Sequence, residues 1–168
     1  MIRLFTLFLV GTMALTACQP VSSTDSNGRM VPRAYKISQR EAQQLPFRML
    51  DSVNALRGAS SLTPLALDAQ LTAAAATHSR DMQVQNRPWH FGSDGSSPVE
   101  RASRAGFSGT LLGEVISETY ETELETLSAW MAKPDTRRII MDTEGRRMGF
   151  SWFQEDNGKI WWTLMVGN

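Results

Sequence analysis

The chain has 168 residues, with 17 Lys and Arg against 17 Asp and Glu, two histidines and one cysteine. Balanced charge provides no basic field for nucleic acid, and a lone cysteine excludes an internal disulfide framework. A domain of this composition must stand on a packed apolar core, and about 130 residues are enough to build one.

Residues 1–17 read as an export signal. Arg3 supplies the positive charge, Leu4 to Val10 a short apolar core, and Leu15-Thr16-Ala17 a small-residue exit. That apolar run is too short to cross a bilayer, which takes about 20 residues. Leu15-Thr16-Ala17-Cys18 resembles a bacterial lipobox, and the resemblance implies cleavage that leaves Cys18 as a lipid-bearing N-terminus. Several acyl chains at ~0.8 kcal/mol per buried methylene make such an anchor stable. The plainer reading is a secretory signal that happens to contain a cysteine. Gln19 after the cysteine implies outer-membrane retention, facing the periplasm, in a Gram-negative source. Residues 18–40 are polar, centred on Ser22-Ser23-Thr24-Asp25-Ser26-Asn27-Gly28, and read as a tether with a reach of roughly 25 Å. Residues 41–168 form the one domain.

Ser38 and Glu41 make a capping box at a helix start. Pro46 is expected to interrupt this helix, after which Phe47, Leu50, Val53 and Leu56 or Arg57 repeat at helical spacing until Gly58. Asp68 caps a long second helix with Leu67, Leu71, Ala74, Ala75, His78 and Met82 on one face. Because His78 lies in that apolar stripe, a hydrogen-bonded core histidine is favoured over a functional one. Ser97-Pro98-Val99-Glu100 is a further capping box with proline in the first turn, and Gly106 closes the short helix. A strand is expected around Glu114, from Leu111 to Glu118. Thr122-Glu123-Leu124-Glu125 opens another helix, with acidic residues where the helix dipole favours them. Its apolar face is Leu124, Leu127 and Met131, and Pro134 marks its break. Met148, Phe150 and Trp152, then Ile160, Trp162, Leu164 and Val166, alternate on either side of Asn157-Gly158, which spells a terminal hairpin. Helices first, one strand between and a hairpin last imply an α+β domain with helices packed on a small antiparallel sheet.

In order and spacing these segments resemble the CAP superfamily, or SCP domains: cysteine-rich secretory proteins, antigen 5 and plant pathogenesis-related proteins, in their bacterial branch. The resemblance rests on Leu62-Thr63-Pro64-Leu65, His78-Ser79-Arg80-Asp81-Met82, His90 with Ser93-Asp94-Gly95-Ser96-Ser97-Pro98, Arg101, Ala105-Gly106-Phe107, Gly113-Glu114, Trp130-Met131 and Arg147-Met148-Gly149-Phe150. It covers about 120 residues and implies an α-β-α sandwich. It also implies a cleft where two histidines and two acidic residues sometimes hold a divalent metal. Position by position, His90 matches the first histidine and Glu114 the cleft glutamate. Thr136 stands where the second histidine is usual, Val115 and Ile139 where asparagines are usual.

A lone His90–Glu114 pair leaves water to complete a metal's shell, so a weakly bound divalent ion is the only cofactor it allows. The same pair has the chemistry of acid–base work, but no serine elbow or second cysteine supplies a nucleophile. The leading expectation is therefore a lipid-anchored envelope module, not an enzyme. Its cleft, around His90, Glu114 and Thr136, would bind a small apolar ligand, a cell-wall component or a protein partner. One alternative is an envelope hydrolase in which His90 and Glu114 activate water. Another is a structural scaffold for assembly.

Overall fold

The computed structural model describes residues 22–24, 30–32 and 35–168. Residues 1–17, Cys18 and most of the tether lie outside the described residues. The chain divides into two compact units, Met1–Arg33 and Ala34–Asn168. In the first, β1 (Ser22–Thr24) pairs antiparallel with β2 (Met30–Pro32), Ser23 opposite Val31. No helix among the described residues is long and apolar enough to cross a membrane.

The second unit begins ahead of residue 41. Tyr35 and Ile37 already pack against the core, and Gln154 ties this entry down, accepting from the Ile37 N–H (2.9 Å) and donating to the Tyr35 carbonyl (2.7 Å). Helix α1 (Gln39–Ala59) starts on the expected capping box, with Glu41 accepting from the Ser38 N–H at 2.8 Å. It runs through Pro46 without a break. Proline's fixed φ is helical, and the cost of its missing N–H is offset by Leu45, Met49 and Val53, which flank it on the buried face. That face differs from the expected stripe by a small rotation: Phe47 is 61% exposed and Leu56 37%.

After the two-residue strand β3 (Ala66–Leu67), Asp68 caps α2 (Ala69–Gln85) by accepting from the Leu71 N–H at 2.9 Å. Helix α3 (Pro98–Arg104) carries its own capping box, strand β4 covers Leu111–Ser117, and α4 (Glu123–Ala132) is capped by Thr122 and Glu125. Pro134 does more than end α4: it opens another helix, α5 (Pro134–Ile140), from a first-turn position where its missing N–H costs nothing. Strands β5 (Arg147–Gln154) and β6 (Ile160–Gly167) complete the fold.

The sheet order is β3-β5-β6-β4. The three long strands are antiparallel, as the hairpin pattern requires, and the short β3 joins β5 in parallel, so the sheet is mixed. Strand β6 lies at its centre and is buried along its whole length. Ile160, Trp162, Leu164 and Val166 point into the larger core with Leu45, Met49, Val53 and Trp130, while Met165 points to the opposite face with Leu71, Ala74, Ala75 and Ala102. Helices α1, α4 and α5 thus cover one face and α2 with α3 the other, an α-β-α sandwich. The α2 backbone rests directly on β5 at Gly149, where a Cβ would stand 2.2 Å from the Leu71 carbonyl carbon.

Candidate functional site

Four elements of the α2/α3 side converge on one carboxylate. Glu114 is on β4, and its position in the register, opposite Met165, turns its side chain away from the larger core toward α2 and α3. Its side chain is only 1% exposed. Helix α2 presents His78 on its inward stripe, fully buried. The helix ends at Asn86 in the left-handed conformation (φ 52°), and the chain turns back through Trp89, His90 and Phe91. The loop is then fastened: the Gly92 N–H donates to the Ser96 carbonyl (2.8 Å), and the Ser93 N–H and hydroxyl both donate to Asp81 of α2 (2.7 and 2.5 Å). Gly92 is required there, since a Cβ would come within 2.6 Å of the Asp94 carboxylate and the Ser96 hydroxyl. The capping box that follows sets α3, and α3 delivers Arg101.

The predicted pair meets. His90 Nδ1 is 2.9 Å from Glu114 Oε1. Because a carboxylate only accepts, Nδ1 carries the proton, so that of the two neutral tautomers the one present leaves Nε2 without it. The His90 side chain is 50% exposed, flanked by exposed Trp89 and Phe91, whose rings lie 5.4 Å apart. Arg87 stacks over the Trp89 ring at 3.5 Å, and the Trp89 indole N–H donates to Gln85.

Two further members were not assigned from sequence. Arg101, 5% exposed, donates from one amino group to both Glu114 oxygens at 2.8 and 3.0 Å, and also to the His90 carbonyl at 2.9 Å. Its other amino group donates to the Ser96 carbonyl at 2.8 Å. It therefore neutralises the buried carboxylate and fixes the His90 loop at once. His78, expected as a core histidine, is buried but also stands beside the site. Its Nε2–H donates to the Trp89 carbonyl at 2.9 Å and lies 3.5 Å from Glu114 Oε1, with Nδ1 buried and unpartnered. Burial lowers the His78 pKa, against the opposing pull of Glu114, which favours the neutral ring with its proton on Nε2. A signal for both was present: Arg101 falls one turn after Ser97 on a firmly capped helix, and His78 is a polar residue in an apolar stripe.

Thr136 does not join them. Its hydroxyl donates to the Trp130 and Lys133 carbonyls, linking the end of α4 to α5. Ile139, one turn later, packs onto Gly113, and Val115 is part of the larger core. The positions that depart from the resemblance thus carry packing and helix connection. The residues do not fit a divalent metal either. Both Glu114 oxygens face a guanidinium, the His78 nitrogen nearest Glu114 is spent on a backbone carbonyl, and among the described residues no three His, Cys, Asp or Glu side chains are grouped to hold a metal.

An α-β-α sandwich with a loop histidine held by a buried strand glutamate defines a cysteine-rich-secretory-type domain. The sequence profile of the cysteine-rich secretory protein (CAP) family matches residues 50–166, and the chain belongs to that family. It is 28% identical over 120 residues to an uncharacterized protein of Bacillus subtilis, YkwD, across 71% of this chain and 46% of that one. The chain thus spans about half the length of that relative. Among solved structures, an outer surface protein of Borrelia burgdorferi superposes with a TM-score of 0.70 at 18% identity, covering 81% of this chain and 98% of that one. An extracellular protein of Bacillus anthracis containing an SCP domain gives 0.69 at 20% identity, covering 80% and 45%. Both share the fold.

Proposed function

We propose that this CAP domain is an exported, lipid-anchored module of the bacterial envelope, and that it works by binding a cell-wall component instead of turning over a substrate. The observation that carries this reading is His90 itself: half exposed, oriented by a buried carboxylate and neighboured in sequence by two exposed aromatic residues whose rings contact each other. Such a surface suits a cell-wall sugar. The Trp89–Phe91 pair, with one Trp89 face covered by Arg87, leaves exposed ring surface for a pyranose, and the Nε2 of a neutral His90 ring accepts from a hydroxyl. Arg101 commits Glu114 to holding the imidazole in place. Envelope placement is supported by the export signal and lipobox, and by relatives described as an outer surface and an extracellular protein. Cys18 would be the anchor.

One observation favours a second reading. An imidazole whose Nδ1–H is fixed on a carboxylate and whose Nε2 is free is the arrangement of a general base, so water activation by His90 and Glu114 is the competing hypothesis. A single assay separates the two. Purified cell-wall sacculi are incubated with the full chain and with His90→Ala and Trp89→Ala, and both bound protein and released soluble fragments are measured. Retention on sacculi that both substitutions weaken, with no release, is the expected result. Fragment release abolished by His90→Ala would replace the binding module with the hydrolase. Equal retention of all three chains would remove the His90 surface from either role.

A further inference from the structure

His78 is a buried polar group that neither reading of the His90 surface uses. Its ring is fully buried on the inward stripe of α2, and Nδ1 has no hydrogen-bond partner among the described residues. A buried acceptor without a donor costs stability, and a leucine of similar bulk would avoid that cost. The ring does not serve Glu114 either. Nε2 stands 3.5 Å from Oε1, beyond a well-formed hydrogen bond, and the carboxylate already accepts from His90 and Arg101. What histidine supplies and leucine cannot is the Nε2–H on the Trp89 carbonyl, at 2.9 Å.

That bond is one half of a grip on the loop. His78 of α2 holds the Trp89 carbonyl and Arg101 of α3 holds the His90 carbonyl, also at 2.9 Å. The two carbonyls belong to the peptide planes on either side of the His90 Cα. Each plane is rigid, so holding both fixes φ and ψ of His90 and the direction in which its ring leaves the backbone. Both donors are buried, and the loop is therefore held from the protein's interior. The polar contacts of the Trp89 side chain, its indole N–H on Gln85 and its ring beneath Arg87, lie nearer the surface.

We propose that His78 is the positioning residue of the His90 surface: its Nε2–H, and not its bulk, holds the loop in the conformation that binds. The inference rests on the recognition role given to that surface above. A loop ordered before its ligand arrives loses less conformational freedom on binding, so a side chain the ligand never touches helps to set the affinity.

Two substitutions separate the donor from the ring. His78→Gln places an amide nitrogen where Nε2 stands, and His78→Leu fills the space and donates nothing. Amide hydrogen exchange of the full chain at pH 7.5 reads the loop at Gly92 and Ser93, whose N–H groups donate to Ser96 and Asp81, and the core at the central strand β6. In His78→Leu the loop amides should exchange about tenfold faster, as loss of one buried hydrogen bond predicts, while β6 amides are not accelerated. His78→Gln should restore most of the protection, and retention on cell-wall sacculi should follow the same order. Unchanged loop exchange in His78→Leu overturns the proposal. So does acceleration of loop and β6 amides together, which would make His78 a residue of global stability, or a His78→Gln chain as loose as His78→Leu. Full retention of His78→Leu on sacculi, despite a loosened loop, would equally refute it. Failure of the parent to bind sacculi overturns the recognition reading instead, and the exchange rates still decide whether His78 holds the loop.

Discussion

Replacing Arg101 with Met asks whether the guanidinium or the histidine is what makes Glu114 tolerable inside the fold. The Glu114 side chain is 1% exposed, and Arg101 places one amino group 2.8 and 3.0 Å from its two oxygens. Methionine keeps most of the volume but strands the carboxylate with only the His90 Nδ1–H. Removing one partner of a buried pair costs about 3–5 kcal/mol, because an uncompensated charge remains. The His90 carbonyl loses its donor in the same step, and the Ser96 carbonyl one of two. For a domain whose whole stability is of the order of 5–15 kcal/mol, that is a large fraction. Urea unfolding followed by circular dichroism at pH 7.5 measures it directly. The decisive comparison is a double-mutant cycle with Glu114→Gln, which removes the charge and keeps the shape. In the Gln background Arg101→Met should cost much less, since no charge is left stranded. A loss under about 1 kcal/mol for Arg101→Met alone, or equal losses in the two backgrounds, would refute the claim that Arg101 exists to neutralise Glu114.

Two other perturbations follow from the same geometry. Burial depresses the pKa of His78 below its ordinary 6.5, so the unfolded chain binds the extra proton first; stability is complete above about pH 6.5 and falls as pH drops below it, by up to ~1.4 kcal/mol per pH unit. Melting temperatures between pH 7.5 and 5 should therefore converge for the parent and His78→Gln as pH falls, and parallel curves would contradict the buried neutral ring. Arg57 is fully buried and donates to four backbone carbonyls, those of Thr63, Ile140, Asp142 and Gly145, so it clips the α1–β3 connection to the end of α5 and the entry to β5. Arg57→Met, which leaves the Thr63 and Ile140 carbonyls without a donor and takes one of two from Asp142 and Gly145, should lower unfolding free energy by roughly 3 kcal/mol in urea titrations, and a change within ~0.5 kcal/mol would show that the clip contributes nothing.

What the sequence displayed was what local chemistry determines. The capping boxes at Ser38, Ser97 and Thr122 and the Asp68 cap all form, because each depends on a few adjacent residues. The hairpin register follows from two-residue alternation. His90 and Glu114 are 24 residues apart, and only the family resemblance joined them before the fold did. Pro46 misled where Pro134 did not: proline removes a donor and fixes φ, but whether that breaks a helix depends on position and on the packing that surrounds it. Pro46 is carried by the buried face of α1, and Pro134 begins α5. The roles of Arg101 and His78 were hidden because neither residue has a local signature for what it touches. An arginine on a short helix and a histidine in an apolar stripe become partners of Glu114 only once α2, α3 and β4 close around it. Leu124, expected on the buried face of α4, is 58% exposed because Thr126, Leu127 and Trp130 turn inward instead.

With the departures at Thr136, Ile139 and Val115, Arg101, which belongs to the resembled pattern, is the residue whose charge answers Glu114. In the pattern this chain resembles, a second histidine approaches the carboxylate from the segment occupied here by α5. That helix instead spends Thr136 on the end of α4 and presses Ile139 onto Gly113, where the absence of a Cβ lets the aliphatic chain reach the strand. Positive charge reaches Glu114 from the opposite side of the chain's path, through α3. A guanidinium remains charged at every physiological pH and brings its own donors, whereas a histidine or a bound ion would make the charge balance depend on pH or on supply. Glu114 thereby faces a donor that does not titrate, and the same carboxylate accepts the His90 Nδ1–H. The exposed Nε2 is then presented in one tautomer by a frame that requires nothing from solution, which is a property useful for recognition.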